Sequence, residues 1–130
     1  MDVDNGFTDP ELEREGVWVD YRGGSRIKIA RIHNPNFTRA YDAAIKPHKR
    51  KQRAGTLETE VETTIFCKCI SKTILLDWEG FTKNGKPWKY SAENAYQLLE
   101  DKIDFRNEVV EFATTEEIFH REFNEDSEKN

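Results

Sequence analysis

The first regular pattern of apolar and polar positions begins at residue 17. Val17-Trp18-Val19-Asp20-Tyr21 is β-branched and aromatic, Arg22-Gly23-Gly24-Ser25 supplies turn residues, and Arg26-Ile27-Lys28-Ile29-Ala30-Arg31-Ile32 alternates charged and apolar side chains. Alternation at period two marks a half-buried strand, and two such runs around a Gly-Gly turn predict a β-hairpin with Ile27 and Ile29 facing inward. The period then lengthens. Asn34-Pro35 has the form of a helix start, with an N-cap amide side chain followed by proline at the first helical position. Phe37, Tyr41, Ala44 and Ile45 recur at helical spacing until Pro47 stops the run. A second, longer helix is expected over residues 56–76, with Leu57, Val61, Ile65 and Cys69 as its stripe and the apolar Ile74-Leu75-Leu76 as its deepest end.

Asp77-Trp78-Glu79-Gly80 closes that helix, and Asn84-Gly85 inside the aromatic segment 81–90 predicts a tight hairpin with Pro87 at an edge. Ser91 reads as the cap of a further helix, Asp101 as the cap of the next, and Thr114 with Glu117 as a capping box for a last helix carrying Ile118, Phe119 and Phe123. The expected class is α+β: an N-terminal β-hairpin and a mostly helical remainder with a short second hairpin or ordered loop. One domain is expected over residues 14–123, between a flexible acidic segment, 1–13, and a flexible polar tail, 124–130.

Composition changes this picture little. At 130 residues the chain suits one domain. Charged residues make up 35%, yet three Trp, four Tyr and eight Phe supply enough apolar bulk for a core. Charge is uneven: residues 1–55 hold 11 Lys/Arg against 8 Asp/Glu, a balance of +3, and residues 56–130 hold 9 against 17, a balance of −8. An acidic chain of this kind lacks the dominant basic face of a general nucleic-acid binder. No run approaches the roughly 20 apolar residues of a membrane span, and residues 1–15 have no apolar signal core, so a cytoplasmic protein is expected. Cys67 and Cys69 stand two apart in the expected long helix, on different faces. That spacing suits small core-filling side chains better than a disulfide or a zinc site.

Candidate chemistry is sparse. His33, His48 and His120 lack a nucleophile or carboxylate at motif spacing, and no nucleophile elbow, zinc-protease or phosphate-loop pattern occurs. Arg22-Gly23-Gly24 lies inside a hairpin and reads as a turn, and Asp77 with Glu79 reads as a helix end. No enzyme, metal or cofactor is expected. Two features remain as binding candidates. One is an electrostatic patch of Lys46, Lys49, Arg50, Lys51 and Arg53, read either as a solvated loop or as a surface for an acidic partner or nucleic acid. No aromatic residues are interleaved with these cations for base stacking, which argues against nucleic acid. The other is apolar: Phe81, Trp88, Phe119 and Phe123 sit on an expected loop or the terminal helix, where an aromatic can anchor a partner. The bland alternative is that they close the core.

An ordered set of short blocks extends this reading. Gly16-Val17-Trp18-Val19-Asp20-Tyr21, Ile27-Lys28-Ile29-Ala30-Arg31 with Asn34-Pro35, Ile74-Leu75-Leu76-Asp77-Trp78-Glu79-Gly80, Gly85-Lys86-Pro87, Tyr90-Ser91 with Glu93-Asn94-Ala95, and Phe105-Arg106 run through residues 14–123. In this set the chain resembles tail assembly chaperones of siphophages and related prophages. The resemblance implies a non-enzyme without cofactors. It would bind the tape measure protein in the host cytoplasm, keep it soluble during tube assembly, and be absent from the finished virion. It also implies a frameshifted longer form that joins tape measure to tail tube protein, and Glu128-Lys129-Asn130 permits a slippery heptamer. Two alternatives stay open: a structural tail or head–tail joining protein retained in the virion, and a nucleic-acid-binding regulator using residues 46–53. The oligomeric state is left open.

Overall fold

The computed structural model describes residues 1–3 and 6–124. The expected polar tail, apart from Asn124, and the slippery-codon residues lie outside the described residues. The α+β class is as the sequence predicts. In chain order come α1 (Pro10–Glu15), β1 (Val17–Asp20), β2 (Arg26–Ile29), α2 (Pro35–Ile45), α3 (Lys49–Ala54), α4 (Thr59–Thr73), β3 (Leu75–Glu79), the strand pair β4 (Thr82–Lys83) and β5 (Lys86–Pro87), α5 (Ala92–Asp101) and α6 (Ile103–Thr114).

The N-terminal hairpin forms as expected, with Val17 opposite Ile29 and Asp20 opposite Arg26, and a short 3-10 turn at Arg22–Gly24 joins its arms. The sheet has a third strand that the sequence reading assigned to a helix end. β3 pairs antiparallel with β2, Ile27 opposite Trp78 and Lys28 opposite Asp77, so the strand order is β1-β2-β3. The long helix therefore ends at Thr73, not at residue 76. The reason is tertiary. A continuous apolar run has no period of its own, and β2 offers Ile74-Leu75-Leu76 a backbone ladder in the core. The register slips after Lys28 and pairs Ile29 with Leu75. Leu76 is left as the bulged residue, half-buried while Leu75 is fully buried. Its Cδ1 lies where a Cβ on Gly16 would come within 2.9 Å, which, with φ +88°, holds that position to glycine.

One face of the sheet is apolar: Val17, Val19, Ile27, Ile29, Leu75 and Trp78 are all buried. The helices pack on this side. α4 lies between α2 and α5, which buries it on more than one face and accounts for both cysteines being enclosed and unpaired. Asn34 caps α2 as expected, its Oδ1 accepting from the Asn36 and Phe37 amides at 2.9 and 3.0 Å, while its Nδ2 donates to Arg31 O at 2.8 Å. Ser91 caps α5 through a 3.0 Å bond from Asn94 N. Ala113 O of α6 accepts from Ile32 N at 3.0 Å, tying the last long helix to the end of β2.

Three local expectations are corrected. The basic stretch is not a loop: a 3-10 turn at Lys46–His48 runs into α3, which Gly55 ends in the left-handed conformation. Asp101 caps nothing; it is the last residue of α5, and Lys102 separates the two helices. Nor does Thr114 start a helix. α6 runs through it, and the hydroxyls of Thr114 and Thr115 both donate back to Glu111 O, at 2.9 and 2.7 Å. A 3-10 turn at Glu116–Phe119 and a helical turn at residues 121–124 follow. In the expected flexible N-terminal segment the chain forms α1, capped by Asp9. The Asp9 amide donates to Phe119 O at 2.9 Å, and its carboxylate accepts from Arg121 at 3.1 Å, so the start of α1 is joined to residues 119–121.

Candidate functional site

The aromatic residues singled out from sequence divide between two places. Trp78 is buried at the end of the sheet's inner face, and Phe81, Trp88 and Tyr90 gather around it with ring centroids 4.6, 5.0 and 5.3 Å away. Trp78 Nε1 donates to Trp88 O at 2.7 Å, and Trp88 N donates to Phe81 O at 2.9 Å, so the β4–β5 hairpin is folded onto the indole. Asn84-Gly85 makes its turn with φ of 55° and 76°. Tyr90 reaches further, donating to Leu75 O at 2.7 Å and to Ser71 O, at the end of α4, at 3.1 Å. Burial, and then Asp77 nearby, push its hydroxyl above the usual tyrosine range. Phe81 and Trp88 are thus half-buried lids on Trp78, and the Lys83 ammonium lies over the Trp88 ring, 4.7 Å from its centroid.

Phe119 is fully buried and belongs to the core, out of reach of a partner in this fold. Phe123 is half-buried beside β1, where it lines a groove with Trp18, Asp20, Arg26, Phe112 and Ile118. The four residues therefore make no single surface.

Tyr21 stands between the two regions. Its ring lies 6.1 Å from Phe81, 5.7 Å from Phe105 and 6.5 Å from Phe112, which continues the aromatic contacts from the hairpin to α6. Its hydroxyl donates to Glu108 Oε2, and Arg22 Nη2 donates to Glu108 Oε1, so one carboxylate takes both residues at the end of β1. Burial, then the Glu108 contact, push the Tyr21 hydroxyl well up, and the Tyr21 bond leads the effects that hold Glu108 below the usual carboxylate range. This cluster fastens the strand to α6 and borders a groove of about 400 Å³ with Asp20, Glu111, Phe112 and Ile118. Asp20, Phe112 and Ile118 line both this groove and the one holding Phe123, so the two run together along β1. Sequence reasoning missed Glu108 because 87 positions separate it from Tyr21 and no local spacing joins them.

The cations Lys46, Lys49, Arg50, Lys51 and Arg53 are all exposed on the 3-10 turn and α3. Among the described residues, one of the five has a salt-bridge partner: Lys51 lies 4.0 Å from Glu58. His120 lies 3.5 Å from Glu116, and among the described residues no group of three or more His, Cys, Asp or Glu side chains could hold a metal ion. Burial pushes the thiols of Cys67 and Cys69 up, which keeps both protonated near neutral pH. No helix among the described residues is long and apolar enough to cross a membrane.

Residues 32–130 match a family described as YdaY prophage protein, and the chain belongs to that family and is phage-related. No curated protein and no solved structure matches it.

Proposed function

We propose that this prophage-family chain is a tail assembly chaperone, a non-enzymatic protein that binds the tape measure protein and keeps it soluble while the tail tube assembles around it. One observation carries the reading. The ordered blocks that resemble such chaperones fall on β1, β2, the cap of α2, β3, the Asn84-Gly85 hairpin and the cap of α5, that is, on the framework of the domain. Physical support comes from the surface. A groove walled by Phe112, Ile118 and Phe123 runs beside β1, and Phe81 and Trp88 are only partly buried. Such apolar surface suits covering the exposed stripes of a long partner chain. Several weak contacts along one tape measure molecule would add by avidity. The site of action on this reading is the cytoplasm of the infected host, and a longer frameshifted form would link tape measure to tube protein.

Co-expression with the neighbouring tape measure gene tests the proposal. The tape measure protein should move to the soluble fraction and co-purify with the chain. A tape measure protein that stays insoluble and does not co-purify would overturn it. A second reading, a nucleic-acid-binding regulator, is favoured by the exposed cations of α3. It requires binding to duplex DNA that falls steeply with salt. Stoichiometric presence in purified virions would instead favour a structural tail protein.

A further inference from the structure

We propose that the open edge of β1 is a strand-addition site, taking an extended segment of a partner protein with basic side chains on one face and apolar side chains on the other. The inference goes beyond the tail-assembly reading and does not depend on it, since it specifies the conformation and chemistry of the occupant and not its source.

Tyr21 N donates to Ser25 O at 2.8 Å, so the alternation of an antiparallel ladder assigns Val17, Val19 and Tyr21 to the bonds with β2. The N–H and C=O groups of Trp18 and Asp20 then point away from β2. Among the described residues no other strand or side chain takes them. The opposite edge of the same sheet is treated differently: beside β3, Leu75 O accepts from Tyr90 and the hairpin closes over Trp78. The β3 edge thus has a partner at Leu75 O, while the β1 edge has none among the described residues, and an open edge pairs with an extended backbone that reaches it.

The surroundings specify the occupant. In an antiparallel pair, residues directly opposite share a face of the sheet. Residues opposite Trp18 and Asp20 would lie on the outer face. There the Asp20 carboxylate is 97% exposed, and its one cation among the described residues, Arg26, at 3.6 Å, is shared with Glu79 at 4.0 Å. One arginine between two carboxylates leaves net negative charge, which a lysine or arginine opposite Asp20 would balance. The intervening residues would lie on the inner face, toward Phe112 and Ile118, and these walls suit apolar side chains. A second copy of this chain fits less well. Pairing β1 with itself about a two-fold axis at Val19 sets Asp20 against Trp18 and brings no cation to either aspartate.

The test uses the full chain and a fluorescein-labelled, end-blocked peptide of alternating lysine and valine, followed by fluorescence anisotropy. The wild-type chain should bind it. N-methylation of the lysine amides, which face β1 in this pairing, should weaken binding by at least about tenfold, and N-methylation of the valine amides should leave it largely unchanged. Asp20→Pro removes an outward N–H and no ladder bond to β2, and should weaken binding to a similar degree. Should that variant fail to fold, the methylated peptides still decide the matter on unaltered protein. Asp20→Lys should shift preference to the glutamate–valine counterpart. The proposal is overturned if the wild type does not bind the lysine–valine peptide, or if both methylated peptides bind alike. It is equally overturned if sedimentation shows a wild-type dimer that Asp20→Pro converts to monomer, because the occupant would then be a second copy.

Discussion

The bulge in β3 separates two adjacent leucines that a helical reading of the same residues would treat alike. Leu75 faces the core opposite Ile29, both fully buried, while Leu76 is the passed-over residue lying across Gly16. Truncating Leu75 to alanine loses transfer free energy of about 0.8 kcal/mol per carbon removed, roughly 2.4 kcal/mol for the isobutyl-to-methyl change. The void left behind adds about 24 cal/mol per Å³, so a residual cavity of roughly 50 Å³ contributes about 1.2 kcal/mol more. Ladder bonds to β2 hold the strand in place and limit how far the site can collapse. The expected cost of Leu75→Ala is therefore about 3–4 kcal/mol. Leu76→Ala should cost about 1 kcal/mol, because its side chain is only partly removed from water. Urea unfolding followed by tryptophan fluorescence measures both, with the slope of the transition checked for constancy across variants. Equal costs for the two substitutions, or a larger one for Leu76, would refute the bulged-strand register and with it the argument for which residues face the core.

Other expectations follow from single contacts. Tyr90→Phe removes the donor to two backbone carbonyls and should destabilise by about 1–3 kcal/mol in the same assay. Tyr90 has a raised folded-state pKa, so its contribution is fully present below the unfolded value near 10 and is lost as pH rises above it. The fall in stability above about pH 10 should accordingly be shallower in Tyr90→Phe, although Tyr21 will retain part of it. Asp9 has the opposite sign. The Glu11 amide is the largest effect holding its carboxyl below the usual range, so its contribution is present above the unfolded value near 4 and lost on further acidification. Asp9→Ala should cost about 1 kcal/mol and speed hydrogen exchange in α1 and around Phe119, and unchanged exchange at both would count against the clasp between Asp9 and residues 119–121. Phe119→Ser should unfold the protein or cost more than about 3 kcal/mol, whereas Trp88→Ser should leave it folded; the reverse order would show that their burial is misassigned.

What was legible in the sequence is what local chemistry determines. The hairpin followed from alternation around Gly23-Gly24, α2 from Asn34-Pro35, the small hairpin from Asn84-Gly85 and α5 from Ser91, each a signal carried within a few residues. β3 was not legible, because Ile74-Leu75-Leu76 is uniformly apolar and its strand character comes from β2, more than 40 positions earlier in the chain. The C-terminal region misled for a related reason. Thr114 and Glu117 fit the spacing of a capping box, but the same hydroxyl can bond backward to close a helix already running, and α6 had reached it. Of the aromatic candidates, Phe119 was misplaced because position in sequence is a poor guide to depth: a terminal segment tied to Asp9 is drawn into the core.

The same distinction bears on where binding resides. Aromatic side chains are conspicuous in a sequence, and Trp78, Phe81, Trp88 and Tyr90 drew attention on that account. In the fold they gather over one end of the sheet, and Tyr90 bonds Leu75 O on β3. Backbone groups leave no such mark in composition, since every strand has them and only topology decides which remain unpaired. Here, among the described residues, topology leaves those of Trp18 and Asp20, beside apolar walls from α6 and the C-terminal turns. A partner held there would be recognised chiefly by its backbone, with Asp20 and Phe112 selecting among sequences. Recognition of that kind tolerates variation in the partner wherever the alternation of basic and apolar residues persists, and it fails when a proline interrupts the paired segment.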